Sequence, residues 1–188
     1  MLVCEDEIRF IMKNHTWVLV DLPAGAKVIG LKCIFKLKRN YDGSIHKHKV
    51  SLVAKGYAQQ HGVDYDEVFS RVARLETIRL LISLAASRGW EIHHLDVKTA
   101  FLHGELQEVV YVTQPEGFEE KGCEGKFCKL NKAFYCLKQA QRVWSINLKH
   151  IFKELRFTKC TKEPTVYQRE VSGNLLLVAV YVDGLLVT

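Results

Sequence analysis

The sequence predicts an α+β fold. Two hairpin signals, each a pair of strand-like runs about a short polar turn, demand antiparallel sheet. Two stretches with apolar residues at helical spacing demand amphipathic helices. A hydrophobic content of 48% over 188 residues supplies a core and excludes wholesale disorder. That length suits one domain or two small lobes.

Residues 5–14 read as a short helix, with Ile8, Ile11 and Met12 at helical spacing and Asn14-His15 ending it. Residues 16–20 read as a strand and Leu22-Pro23-Ala24-Gly25 as a turn. Two strands, 29–39 and 45–57, are expected about Asp42-Gly43, because Asp-Gly between alternating runs favours a tight hairpin. Residues 77–87 are expected to form a buried helix through Ile78, Leu81, Ile82 and Ala85, stopped by Gly89. A strand over 91–97 carries Asp96 near its end, and 111–113 form another short one. Residues 116–126, with three glycines and many charges, read as a loop. Residues 141–155 form an amphipathic helix with Trp144, Leu148, Ile151, Phe152 and Leu155 on one side. The second hairpin joins 165–170 to 175–182 across Ser172-Gly173-Asn174. A return strand starts at Leu185, and its four residues suggest a chain cut inside that hairpin.

The formal net charge is +6, and it is uneven. Between Lys27 and Lys55 eight basic residues face Asp42 alone, and the remainder of the chain is close to neutral. Most of this excess lies on the first hairpin. Such a basic ribbon attracts polyanions, nucleic acid first, although a solvated hairpin face would carry the same residues. The six cysteines contain no Cys-x-x-Cys pair, so reduced, mostly buried thiols fit better than zinc or disulfides. The longest apolar run, 175–182, is far too short to cross a bilayer, and the acidic start does not resemble a signal peptide. A soluble intracellular protein is the expectation, with no membrane partner.

Asp96 and Asp183 are the residues most suggestive of chemistry. Each stands at the end of an apolar strand, where lone acids suit metal-dependent phosphoryl transfer: two cations about 4 Å apart clamp the attacking and leaving oxygens, and carboxylates must hold them. Each also reads simply as a turn aspartate. His93 and His94 read as packing and surface residues, and no Ser/His/Asp set or phosphate loop can be assembled.

Several stretches, in this order and spacing, resemble the reverse transcriptase of copia-type retrotransposons over nearly the whole chain. They are Asn14-His15-Thr16-Trp17 with Val20-Asp21-Leu22-Pro23; Leu52-Val53-Ala54-Lys55-Gly56-Tyr57 with Asp64-Tyr65-Asp66-Glu67-Val68-Phe69-Ser70; and Leu95-Asp96-Val97-Lys98-Thr99-Ala100-Phe101. Gln114-Pro115-Glu116-Gly117-Phe118, Leu137-Lys138-Gln139-Ala140 and Tyr181-Val182-Asp183 follow. The resemblance implies right-hand polymerase fingers (about 1–75 and 105–145) and palm (about 76–104 and 146–188). The palm would be an antiparallel sheet with helices packed on one face, and the thumb would be absent. It also implies RNA- or DNA-templated addition of deoxynucleotides to a primer, with two Mg2+ ions. Asp96, Asp183 and the backbone of Val97 would hold metal. Lys49, Lys55, Phe101 and Gln139 would meet the nucleotide, with Phe101 under the sugar. Tyr181, Lys36 and Lys38 would meet the template–primer.

The resemblance also breaks in places. Gly184 stands where the family has a second Asp, removing a ligand and a charge while favouring a tight turn through a positive φ. Ser51 replaces an Arg, Cys136 a Gly, Gln141 and Arg71 each a Pro, and Cys33 a Trp. An inactive copy is therefore expected. The alternatives are weak residual polymerase activity and a non-catalytic nucleic-acid-binding remnant that uses the basic ribbon over 27–55.

Overall fold

The computed structural model describes residues 2–188 and mixes helix with sheet, as the periodicities require. Chain contacts divide it into two units: Met1–Val68 with Phe101–Val143, and Phe69–Ala100 with Trp144–Thr188.

The first unit opens with helix α1 (Leu2–Lys13), longer at its start than the predicted segment. Ile8 and Ile11 carry its buried stripe, while Met12 is exposed. Strands β1 (Trp17–Val20) and β2 (Val28–Ile29) follow, then the hairpin β3 (Leu31–Arg39) and β4 (Ile45–Ala54). The predicted strand over 45–57 stops early because Gly56–Ala58 coils into a 3-10 turn. After the second unit's first segment come β6 (Tyr111–Val112) and β7 (Phe127–Leu130). These join β1 and β2 in a four-stranded sheet ordered β1-β7-β6-β2. Strand β7 went unpredicted: four residues behind a charged, glycine-rich loop give too short a pattern. Its alternation is nonetheless real, since Cys128 and Leu130 are buried. The core here gathers Ile11, Ile29, Leu52, Leu102, Val112, Phe134 and their neighbours.

The second unit holds helix α2 (Leu75–Arg88), strand β5 (His93–Asp96), most of helix α3 (Ala140–Glu154), and strands β8 (Thr158–Lys159), β9 (Val166–Val171), β10 (Asn174–Tyr181) and β11 (Gly184–Val187). They form an antiparallel sheet ordered β5-β11-β10-β9-β8. Gly89 ends α2 at φ +65°, its N–H donating to the Ala85 and Ala86 carbonyls. Two expectations need correcting. Helix α2 is not buried: Leu81 and Ala85 are, but Leu80 and Ile82 are 68% and 44% exposed. Nor do the helices share one face of the sheet. Leu81 of α2 packs with Val166, Leu177 and Ala179, whereas the ring of Phe152 on α3 meets Tyr167, 4.4 Å between centroids. Tyr167 pairs with Val178 and Val166 with Ala179, so the two helices lie against opposite faces. The physical reason is in β10: its unbroken apolar run has no polar face to give to water, and both sides need cover.

Candidate active site

The two aspartates come together within the second unit. In the β5–β11 register Asp96 lies directly opposite Gly184, and the Val97 N–H donates to the Asp183 carbonyl at 2.9 Å. Asp96, at the end of β5, and Asp183, in the turn between β10 and β11, therefore stand at one end of one sheet. Asp96 is exposed and Asp183 half-buried. Residues 87 positions apart in sequence meet here because β11 pairs with β5 and so brings the β10–β11 turn alongside the end of β5.

The backbone around both acids is unusual. Val182 has φ +56° and Thr99 φ +55°. Left-handed backbone at a β-branched residue costs on the order of 1–3 kcal/mol and persists only where the surroundings enforce it. At Val182 the enforcing contact is visible: the indole N–H of Trp144 donates to the Val182 carbonyl at 2.8 Å. This corrects the expected turn geometry. The positive φ belongs to Val182, and Gly184 does not adopt one. Gly184 is thus not required by the backbone. A Cβ there would stand 3.3 Å from the Tyr181 carbonyl oxygen and 3.6 Å from His94 Nε2, which asks for a shift of only a few tenths of an ångström.

Among the described residues no group of three or more His, Cys, Asp or Glu side chains could surround a metal ion. Two carboxylates suffice for one Mg2+, which commonly takes one or two carboxylates and completes its shell with water and substrate phosphates. Asp96 and Asp183 are the two carboxylates that could contribute to holding such a cation.

The remaining candidate residues lie as follows. In the ribbon, Lys36 pairs with Lys49 and Lys38 with Lys47, so four ammonium groups share two successive rungs of one face, all exposed. Like charges directly opposite destabilise a sheet. The Lys55 side chain lies along Gly30, and its backbone N–H donates to the Gly30 carbonyl at 2.8 Å. Phe101 is half-buried, its ring edge-on to Tyr135 at 5.3 Å. Tyr181 is 54% exposed.

Gln139 is fully buried, with its amide committed inside the protein. Its Nε2 donates to the Asp64 carbonyl and its Oε1 accepts from Gln59 Nε2, both at 3.0 Å, while Gln59 Oε1 accepts from the Lys138 N–H at 2.8 Å. The Asp64 carboxylate in turn accepts from Lys27 Nζ at 2.8 Å and the Gln60 N–H at 2.7 Å. Asp64 and Gln139 lie in stretches that carry the family resemblance, but nothing in the sequence links them to Lys27 and Gln59 as partners in one clasp. Beside it, Cys136 has φ +66°, and a Cβ on Gly56 would fall 1.8 Å from the Cys136 carbonyl oxygen. The close approach is therefore at Gly56, and the cost of cysteine at position 136 is conformational.

The sequence is similar to that of known proteins. The profile of the family described as reverse transcriptase (RNA-dependent DNA polymerase) matches residues 14–188. The retrovirus-related Pol polyprotein from transposon TNT 1-94 of Nicotiana tabacum is 43% identical over 188 residues, covering 100% of this chain and 14% of the tobacco protein. The corresponding polyprotein from transposon RE1 of Arabidopsis thaliana is 40% identical over 183 residues, or 97% of this chain and 12% of that protein. The chain thus spans a small fraction of the length of these relatives. Among the described residues no helix is long and apolar enough to cross a membrane. With a match across most of its length and with these relatives, the chain belongs to the reverse transcriptase (RNA-dependent DNA polymerase) family.

Proposed function

We propose that this chain is the fingers-and-palm part of a retrotransposon RNA-directed DNA polymerase whose nucleotidyl-transfer site is crippled by Gly184. The first unit corresponds to fingers and the second to palm. The observation that carries this reading is the pairing of Asp96 with Gly184, one residue from Asp183, beside a hairpin held in a left-handed turn by Trp144. Strain kept at a pair of converging acids is characteristic of sites that pre-organise a ligand.

In this reading Asp96 and Asp183, with the Val97 backbone, would hold a divalent cation such as Mg2+. When bound, that cation supplies Lewis-acid stabilisation of charge developing on the phosphoryl oxygens. Lys49 and Lys55 neutralise the incoming triphosphate, Phe101 bounds the sugar, and Gln139 positions the pocket segment through its buried bonds. Lys36, Lys38 and Tyr181 meet the RNA or DNA template–primer. The missing carboxylate at 184 removes the ligand needed for a second ion. A loss of roughly 3–4 kcal/mol of transition-state stabilisation slows turnover ~10²–10³-fold.

Manganese titration by isothermal calorimetry tests the site. Gly184→Asp is expected to tighten Mn2+ binding at least ~10-fold, and Asp96→Ala to remove it. An unchanged affinity in Gly184→Asp would refute the assignment. Primer extension tests the activity: none above background is expected from the unaltered chain. Template-dependent extension abolished by Asp96→Ala would overturn the claim that the site is crippled. A second reading, nucleic-acid binding without chemistry, is favoured by the crowded lysine rungs, whose mutual repulsion a phosphate backbone would relieve.

A further inference from the structure

A second concentration of positive charge lies on the second unit, where the net count of the chain concealed it. Six basic residues fall between Lys149 and Arg169 against Glu154 and Glu163. Acids elsewhere balance them in the total. Folding gathers five of these cations, with one more from another segment.

Lys149, Lys153 and Arg156 occupy positions i, i+4 and i+7 along α3 and just past its end, all exposed, beside the buried stripe of Trp144, Leu148 and Phe152. Lys159 pairs with Tyr167 across β8–β9, and Tyr167 takes the ring of Phe152, so Lys159 points to the side of the sheet that α3 covers. Arg169, two residues further on β9, shares that side, its guanidinium 5.9 Å from the centre of the Phe157 ring. Arg71 comes from the segment before α2. Partial burial, with the charges of Lys149 and Arg71 nearby, pushes the Lys159 ammonium pKa down. Lys149 and Arg71 are thus close enough to Lys159 to repel its charge. Among the described residues none of the six makes an ion pair with a carboxylate. Arg156 and Arg169 also line an open pocket of about 350 Å³ together with Thr158, Gln168, Glu170 and Leu175. Two guanidiniums and an amide at its wall can bond phosphate oxygens, with Glu170 the one opposing charge, while the Thr158 hydroxyl already donates to the Gln168 carbonyl at 3.2 Å.

We propose that Lys149, Lys153, Arg156, Lys159, Arg169 and Arg71 form a second nucleic-acid surface, separate from the ribbon and from the paired aspartates, that binds the sugar–phosphate backbone of a duplex. Like-charge crowding that satisfies nothing inside the fold costs stability, and a polyanion relieves it. From Lys149 to Lys153 the helix rises about 6 Å, the axial rise of about two nucleotides in one duplex strand. The contacts are to backbone, so the surface carries no base specificity. The choice of a duplex over another polyanion rests on the proposed polymerase reading.

The test is fluorescence anisotropy of a fluorescein-labelled RNA–DNA hybrid titrated with the whole chain at 50–200 mM salt. Lys149→Gln/Lys153→Gln/Lys159→Gln should weaken binding and lower the slope of log K against log [salt] by roughly 2–3, since each phosphate contact contributes about 0.9. Lys153→Gln alone should lower it by about 0.9, which keeps the test usable if the triple variant is poorly folded. Lys36→Gln/Lys38→Gln/Lys47→Gln/Lys49→Gln reports on the ribbon in parallel, so failure there is distinguishable from failure here. A triple variant with unchanged affinity and slope overturns the proposal. So does the absence of any hybrid binding at 50 mM salt.

Discussion

Gln139→Ala separates a structural role for this residue from a ligand-facing one. The side chain is fully buried and makes two bonds, to the Asp64 carbonyl and the Gln59 amide. Its removal leaves both partners unsatisfied, at about 1–3 kcal/mol for a buried orphan, and opens a cavity. A total loss of about 3–4 kcal/mol follows, equivalent to roughly 6–16 °C in Tm for a chain of this size. Urea unfolding followed by far-UV circular dichroism and tryptophan fluorescence measures it, and Trp17, packed against Phe134 in the same unit, supplies a local signal. Gln139→Leu restores the volume without the bonds and should recover only the cavity part. A loss below about 1 kcal/mol in Gln139→Ala would refute the reasoning. The clasp would then not hold the Leu137–Ala140 segment, and the amide would be free for a nucleotide.

Cys136→Gly should raise stability by about 0.5–1 kcal/mol, relief of the left-handed backbone outweighing the entropy of glycine, as read from the same unfolding midpoint. Gly56→Ala should cost about 3 kcal/mol, because the added methyl meets the rigid Cys136 carbonyl; a thermal melt like that of the unaltered chain would contradict this. Burial raises the Glu7 pKa, against smaller opposing effects from the Leu52 N–H and Lys49. The native state therefore holds the Glu7 proton to higher pH than the unfolded chain, so stability falls as pH rises above the ordinary glutamate range. Glu7→Gln should flatten that part of the stability–pH profile while keeping an acceptor for the Leu52 N–H, which a melt series from pH 4 to pH 8 would reveal. Burial pushes the Cys128 thiol up to about 12, so it should resist iodoacetamide at pH 8 while exposed Cys136 reacts, with peptide mass spectrometry as the readout.

What depends on local pattern is legible in adjacent residues. The Asp-Gly hairpin, the apolar run of β10, the periodic stripe of α3 and the Gly89 stop are each written in a few adjacent residues, and the ordered motifs carry the family. Asp96, Asp183 and the absent acid at 184 were legible for the same reason. The remaining features arise from packing between distant segments. Which strand lies beside which, and hence that Asp96 faces Gly184, depends on pairing between segments far apart in the chain. That Val182 rather than Gly184 bears the positive φ depends on an indole from another element. The burial of Gln139, the opposed placement of α2 and α3, and the gathering of Lys149, Lys159 and Arg71 likewise arise only once distant residues share a neighbourhood. A one-dimensional pattern records the periodicity of single elements, whereas hydrogen-bond partners and charge clusters are properties of their packing.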